Sequence, residues 1–478
     1  MPAGTTIDWA ALYYASEWLV RLGALVYVPQ RRTPAAARTW LLLIFLLPWP
    51  GVVVYAILGR IDLPKHRRDL LAELSQRIRA AARTLPATLR DSAVPLPPEV
   101  TEAARLVERL TAFPMVGGNA AELLPDYEGS LRRLAGDIAA ARQSVHLLFY
   151  IYADDAVAAP VTEALTAAAV RGVKCRLLLD GIGSKPALRR LAPRLRAAGI
   201  EVVELLPVRF FRRDKTRIDL RNHRKIAVVD GTVGYLGSQN IVAPKFVRGF
   251  PNEELVVRVT GPIVAQLQAL FLADRLVETR ESIAHPSHFG AGALTGGVFA
   301  QLVSSSPGYR QQVTQMLLVW LVHQAQKRVV ITTPYFVPDE SFLAALRTAV
   351  VRGVEVRLVL SKHSNQLLTN LAQKSYYTEL LEAGVKLFLY RPHFLHAKHV
   401  VIDESLAFVG SSNIDIRSFA LNAEASLLLH DPALAAQVRQ LNERHFADSD
   451  LLTAEAWARR PLLARVSQNI ARMADSLL

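Results

Sequence analysis

Asn222–Asn240 reads NHRKIAVVDGTVGYLGSQN, and Leu395–Asn413 reads LHAKHVVIDESLAFVGSSN. The two stretches align without a gap. His223, Lys225, Asp230, Gly237, Ser238 and Asn240 fall on His396, Lys398, Asp403, Gly410, Ser411 and Asn413. Core packing can repeat apolar residues, but it gives no reason to repeat histidine, lysine and asparagine at fixed intervals. The pair therefore predicts an internal duplication, and a repeat on this scale decides the architecture.

The flanking sequence is duplicated as well. Leu165–Asp180, LTAAAVRGVKCRLLLD, matches Leu346–Ser361, LRTAVVRGVEVRLVLS. Each reads as an amphipathic helix closing at Gly172 or Gly353, followed by an apolar strand. Strands are expected ahead of these helices, at Ser144–Asp155 and Arg328–Glu340, and a helix–glycine–strand passage ends each copy at 197–205 and 382–390. Strands alternating with helices of this length indicate an α/β fold. The expectation is two pseudo-symmetric lobes, each a sheet flanked by helices, over 116–290 and 291–460. Glu281–Gly297, rich in glycine, histidine and proline, is the expected join. Residues 461–478 are expected to form an amphipathic helix carrying Arg465 and Arg472, with its apolar stripe used for packing.

The chain has 478 residues, room for two or three domains, and Lys+Arg outnumber Asp+Glu by 56 to 42, a net charge of +14. That balance calls for an anionic partner, nucleic acid or an acidic lipid surface. The single cysteine, Cys175, rules out an internal disulfide, fits a reducing compartment, and lies in the apolar run VKCRLLL, where a core position is expected.

The apolar excess sits near the N-terminus. Trp40–Gly59, WLLLIFLLPWPGVVVYAILG, carries no charge over about twenty residues, long enough to span a bilayer. Trp9–Val28 is nearly as apolar but contains Glu17 and Arg21. Residues 1–60 are therefore expected to form a membrane segment of two hydrophobic helices. A signal peptide is not expected, because the basic start and small-residue cleavage site are missing. Arg31, Arg32 and Arg38 precede the second apolar run, and Arg60, Lys65, Arg67 and Arg68 follow it, so both flanks claim the cytoplasmic side. Two spans, or a re-entrant hairpin broken at Pro48–Gly51, both remain open. Residues 61–115 read as a basic, solvated helical linker.

Read as strands, HRKIAVVD and HAKHVVID place histidine and lysine, two apart, on one face. Asp230 and Asp403 complete the two catalytic motifs, but at an odd offset they turn away, as orienters and turn-formers. Ser238, Asn240, Ser411 and Asn413 are expected to return to the same area and bind phosphate. Two histidines, two lysines and these donors suit a phosphate and the charge of its transition state. One histidine can attack phosphorus while the other protonates the leaving alcohol. HFLHAKHVVID (His393–Asp403) holds three histidines, yet only His396 has a counterpart in the first copy. Strand alternation sends His399 to the opposite face, against a metal site, with His393 placed at the rim.

The paired H-x-K-x4-D motifs resemble the phospholipase D superfamily. Further stretches resemble its bacterial cardiolipin synthases: the N-terminal RTPAAARTWLLLIFLLPWPGVVVYAILGR, VGGNAAELL (Val116–Leu124), TTPYFVPDE (Thr332–Glu340) and NIDIRSFALNAEASLLL (Asn413–Leu429). The resemblance covers essentially the whole chain. It implies two phospholipase D-like lobes and phosphatidyl transfer without metal or cofactor, converting two phosphatidylglycerol molecules to cardiolipin and glycerol. It implies anionic phospholipid and membrane as partners, no nucleic acid, and a bacterial inner-membrane enzyme with its lobes on the cytoplasmic side. It also implies that His223 is the nucleophile, that His396 is the acid and base, and that each histidine is oriented by a carboxylate downstream of it, by position Glu254 and Glu424. Two departures touch only local packing and membrane contact: Asp274-Arg275 where the family has Asp-Trp, and the C-terminal ADSLL.

Competing readings use the same residues: a phospholipase D with water as acceptor, a nucleic-acid phosphodiesterase, or a non-catalytic lipid-binding scaffold. The N-terminal apolar segments weigh against a nuclease, and the completeness of both motifs weighs against a scaffold. Val208–Lys225, with Phe210 and Phe211 among basic residues, reads as a lipid-surface grip or an ordinary exposed loop. Tyr150, Tyr152 and Tyr335 end strands near the site, where substrate contact and packing are both open. Oligomeric state is not assigned.

Overall fold

The structure is a computed structural model that describes residues 8–59, 63–83, 96–208, 217, 219–245, 249–282, 293–307 and 311–473. Half of the basic loop at 208–225 (209–216 and 218), most of the expected join at 281–297, and the ADSLL terminus lie outside the described residues.

The first copy of the repeat contributes β1 (Val116–Leu124), β2 (Ser144–Phe149), β3 (Lys174–Asp180), β4 (Glu201–Leu205), β5 (Arg221–Asn222), β6 (Ile226–Val229), β7 (Val233–Gly237), β8 (Asn252–Glu253) and β9 (Val256–Thr260). The second contributes β10 (Val298–Ser305), β11 (Arg328–Thr333), β12 (Phe336–Val337), β13 (Glu355–Ser361), β14 (Lys386–Tyr390), β15 (Phe394–Leu395), β16 (His399–Ile402), β17 (Leu406–Gly410), β18 (Ile414–Asp415), β19 (Asn422–His430) and β20 (Ser449–Leu452).

One large sheet carries both copies. Its first half runs β1-β9-β7-β6-β2-β3-β4, and its second runs β10-β19-β17-β16-β11-β13-β14, with β20 beyond. The two orders correspond strand for strand. In each half the outer three strands are parallel, as right-sized helices between them require, and the inner four are antiparallel. Strands covered on both faces need continuous apolar runs, and all six residues of β2 are buried. Cys175 is likewise buried, as expected.

The halves meet edge to edge, through antiparallel pairing of β1 with β10. Asn119 fastens that seam. Fully buried, it donates from Nδ2 to the carbonyls of Val116 (2.8 Å) and Val298 (3.0 Å), and accepts from the Ile263 amide (2.8 Å). This places the asparagine of VGGNAAELL across the two copies, where a buried amide has all its groups satisfied.

Asp230 and Asp403 occupy equivalent left-handed turns, each at φ 51°. Asp230 accepts from the amides of Arg142, Gln143 and Ser144, and Asp403 from those of Gln326, Lys327 and Arg328. They tie the hairpin after the motif strand to the start of β2 or β11, at the far end of that strand from the histidine. Grouping them with the catalytic residues is therefore corrected; they are turn-formers. Asp403→Ala should lower unfolding stability by about 2–3 kcal/mol, since it strands three amides and leaves alanine in a left-handed turn. Denaturant titration checks this, and an unchanged midpoint would contradict it.

The N-terminal expectation needs a larger correction. The uncharged run at 40–59 is not one helix. The chain forms α1 (Trp9–Tyr27), α2 (Pro34–Leu46) and α3 (Pro48–Leu58). Leu47 lies at φ −133°, ψ 80°, outside the helical region, because proline at the next position disfavours a helical residue before it. A Cβ added to Gly51 would meet the Ile44 Cα at 2.8 Å, so α3 folds back against α2. With 13 and 11 residues, these helices are about 20 and 16 Å long, short of a bilayer core. Among the described residues no helix is long and apolar enough to cross a membrane.

Two further expectations change. Within the supposed solvated linker, α4 (Lys65–Arg83) is held by a two-pronged pair from Arg67 to Glu278, at 2.5 and 2.8 Å. The helix Pro98–Thr111 buries Val100, Ala103 and Val107 in the core. Conversely, the apolar stripe of the C-terminal helix Leu462–Met473 is exposed rather than packed.

Candidate active site

The motif histidines stand just before the strands expected to carry them. β6 begins at Ile226 and β16 at His399. His223 and His396 instead follow the two-residue strands β5 and β15, which pair in parallel with β19 and β8. The His223 amide donates to the Ala423 carbonyl (2.8 Å), and the His396 amide donates to the Glu253 carbonyl (2.8 Å). Each histidine is thus fixed to the strand that carries a glutamate one residue later.

That registry crosses the copies. His223 Nδ1 lies 3.0 and 3.1 Å from the Glu424 carboxylate, and His396 Nδ1 lies 2.7 Å from Glu254. The carboxylate downstream of one motif serves the histidine of the other. An ionised carboxylate only accepts, so Nδ1 carries the hydrogen in both rings and Nε2 keeps its lone pair. The side chains retain 14 and 13 % exposure, so both rings are partly open to solvent, and His223 lines the cleft, whereas both glutamates are buried.

Burial sets the charge states. It lowers His223 and takes His396 down to about 4, against the pull of the paired glutamates. Both imidazoles are neutral at neutral pH, as a nitrogen nucleophile must be. Burial would raise Glu254, but the charge and hydrogen bond of His396, with Lys398 and Ser238, outweigh it and hold it at about 2. Glu424 is lowered against burial in the same way by His223, Lys225 and Ser411. Burial brings Lys225 to about 7 and Lys398 to about 8. Lys398 acts on His223 and Lys225 acts on His396, so the two motifs share one electrostatic site.

Each lysine folds back onto its own motif. Lys225 Nζ donates to the His223 carbonyl at 2.5 Å, and Lys398 Nζ donates to that of His396. Three of the four groups expected to bind phosphate face elsewhere. Ser411 donates to Glu424 and accepts from the Ala425 amide; Ser238 accepts from the Leu255 amide at 3.0 Å. Asn240 accepts from the Ile151 amide at 3.0 Å. The serines hold the glutamate strands, and Gly237 and Gly410 precede them because a Cβ there would meet the next strand's backbone at 2.4 Å. Only Asn413 lines the cleft, and its Oδ1 has no partner.

The cleft beside His223 holds a cavity of about 140 Å³, walled by Tyr150, Arg221, Tyr335, Asn413, Arg417 and Asn422 among others. Tyr150 packs edge-on to the His223 ring at 4.9 Å. Thus Tyr150 and Tyr335 reach the site, while Tyr152 is buried and bonds Thr162.

Sequence reasoning missed the bracing beneath the histidines. Arg224 is 2 % exposed and donates to Asp274, Ser304 Oγ, the Ser305 carbonyl and the Glu424 carbonyl. Asp274 also accepts from Asn222 Nδ2, and Asp180 binds the Asn222 amide and Arg221. No spacing rule marks Arg224, whose partners lie 50 to 200 positions away. The three histidines of HFLHAKHVVID go to three separate partners: His393 to Glu253, His396 to Glu254 and His399 to Asn442. His399 lies buried behind the strand, and His393 is half-exposed, as expected.

The family described as "Cardiolipin synthase, PLD-like domain" matches residues 134–275 and 318–446, the two copies of the repeat. The chain is 33% identical to cardiolipin synthase A of Proteus mirabilis over 99% of both chains. It is 34% identical to cardiolipin synthase A of Yersinia pseudotuberculosis, over 98% of this chain and 97% of that one. The crystal structure of a phosphatidylserine synthase from Haemophilus influenzae shares the fold, with a TM-score of 0.58 at 13% identity, covering 79% of this chain and 100% of that one. This chain belongs to the cardiolipin synthase family of phospholipase D-like proteins.

Proposed function

We propose that the protein transfers a phosphatidyl group from one phosphatidylglycerol to a second, forming cardiolipin and releasing glycerol. The observation that carries this reading is the pair of buried imidazoles, each bonded to the other copy's carboxylate and each acted on by the other copy's lysine. His223 Nε2 forms a bond to phosphorus as the bond to the headgroup oxygen breaks, and His396 delivers a proton to the departing glycerol. The incoming phosphodiester brings negative charge that favours the protonated form of His396. A hydroxyl of the second phosphatidylglycerol then gives its proton to His396 and attacks phosphorus. The P–N bond breaks, and both imidazoles are restored. Lys225, Lys398 and Asn413 offset the charge gathering on the phosphoryl oxygens.

We read the two copies as two phospholipase D-like lobes, with the nucleophile His223 in the first and the acid His396 in the second. We read α1 to α3 as the membrane-associated part, with the lobes on the cytoplasmic side. The α2–α3 hairpin supports this, because it returns both basic flanks, Arg38 and Lys65–Arg68, to one side. Neither arm of the hairpin has to span the bilayer.

Purified protein given labelled phosphatidylglycerol in vesicles should yield cardiolipin and glycerol in equal amounts. Phosphatidic acid as the main product would contradict transfer and indicate hydrolysis. The pH profile follows from the two lysines. Their ammonium forms hold the phosphate and are lost as pH rises through about 7 to 8, so kcat/KM should fall there. On the acid side the fall should come from protonation of the nucleophile His223, and so begin only below the ordinary histidine range, since burial lowers that imidazole. An alkaline limb in the ordinary lysine range, near 10.5, would contradict this assignment.

A further inference from the structure

We propose that the helix Leu462–Met473, with the first turn of the helix Leu367–Ser375, is the surface that seats the catalytic cleft on an anionic phospholipid bilayer. The C-terminal helix lies with its polar side inward. Leu462, Leu463, Val466, Ile470 and Met473 fall on one face and are 70, 83, 46, 62 and 57 % exposed, while Gln468 and Ala471 are buried. Packing against the protein would bury the opposite side, so this face is presented outward.

The helix is firmly attached. Arg472 bonds Glu379 at 3.0 Å and lies over the Tyr376 ring at 4.3 Å, and Arg460 bonds Gln468 at 3.2 Å. Thr39 of α2 donates to the Met473 carbonyl at 3.3 Å, joining this face to the hairpin with exposed Leu46 and Leu47. The helix Leu367–Ser375 packs beside it, and there Leu367 and Leu368 are also exposed. The residues on either side of those leucines, Gln366 and Thr369, line the cavity that contains His223. The apolar surface therefore ends at the mouth of the cleft.

A bilayer fits this surface better than a second protein chain does. Arg459 and Arg465 are exposed alongside the apolar stripe, and the chain carries +14 overall, the pairing expected of a helix lying in an anionic interface. Such seating would keep a substrate's acyl chains in lipid while its phosphate reaches His223. The choice of lipid rests on the proposed reaction; the docking does not.

The test uses the full chain with Leu463→Cys carrying a nitroxide, since Cys175 is buried, and a matching label at Arg459→Cys. On vesicles of phosphatidylglycerol and phosphatidylcholine, the Leu463 label should be about tenfold better shielded from a water-soluble nickel chelate, yet open to oxygen. Equal access for both labels, or shielding of the Leu463 label from both reagents as beneath another protein copy, would overturn the proposal. A Leu463→Gln/Ile470→Gln variant should lose about tenfold in rate on vesicles and keep its rate on dispersed short-chain phosphatidylglycerol. Loss on both substrates would instead make the helix a structural part of the site. Insertion of the label in a protein that makes no cardiolipin would uphold docking and sink the proposed reaction.

Discussion

His223→Ala is expected to lower cardiolipin formation by about 10⁴-fold or more, and to abolish any covalent phosphoenzyme. Lys225 is turned to a backbone carbonyl and Asn413 has no nucleophilic atom, so the other imidazole, His396, is the alternative that the variants must separate. His396→Ala should slow natural turnover comparably, but for a different reason: glycerol leaves poorly without a proton. A phosphodiester with a nitrophenol leaving group needs no such proton. With that substrate, His396→Ala should still form the phosphoenzyme, while His223→Ala should not. Acid quenching and mass analysis of the labelled peptide give the answer. A phosphoenzyme on His396, formed in the His223 variant, would reverse the assignment.

The second large effect concerns the exchanged glutamates. Glu424→Gln should impair the His223 step and Glu254→Gln the His396 step, each by about 10²–10⁴-fold, by losing the tautomer and orientation that a carboxylate enforces. The pattern is diagnostic. Phosphoenzyme formation from the nitrophenyl substrate should suffer in Glu424→Gln and be largely spared in Glu254→Gln. Pairing within each copy would produce the opposite pattern. Unfolding midpoints close to that of the unmodified protein are needed alongside, because both glutamates are buried beside serines that hold their strands.

Why the exchange occurs can be stated in terms of registry. β5 and β15 are too short to stand alone, and each adds in parallel to the strand bearing the other copy's glutamate. The first copy alone would leave His223 without its carboxylate, and the second would leave His396 without its own. A single half of this duplicated chain therefore holds only half of each histidine–carboxylate pair.

The α/β class, the duplication and both motif histidines were legible in the linear chain, because chemistry that needs particular side chains at particular intervals leaves a pattern no packing rule produces; the two glutamates, at unequal distances from their motifs, were indicated only by the resemblance to the phospholipase D superfamily. His399 could be set aside for the same reason, since its copy has isoleucine there. Direction was not legible. Ser238, Ser411 and Asn240 sit in the right motif, but which way a hydroxyl or amide turns depends on the neighbouring strand. Arg224 was invisible because its partners are distant in sequence. At the N-terminus, apolar length and charged flanks left two spans and a hairpin broken at Pro48–Gly51 both open, and only the structure, with Leu47 outside the helical region, decided for the reversal. At the C-terminus, periodicity described a stripe without saying whether protein or surroundings would cover it. Composition and spacing decided which groups this protein has; strand pairing between the two copies decided which groups meet, since hydrogen-bond partners and exposure are set by contacts that no local interval encodes.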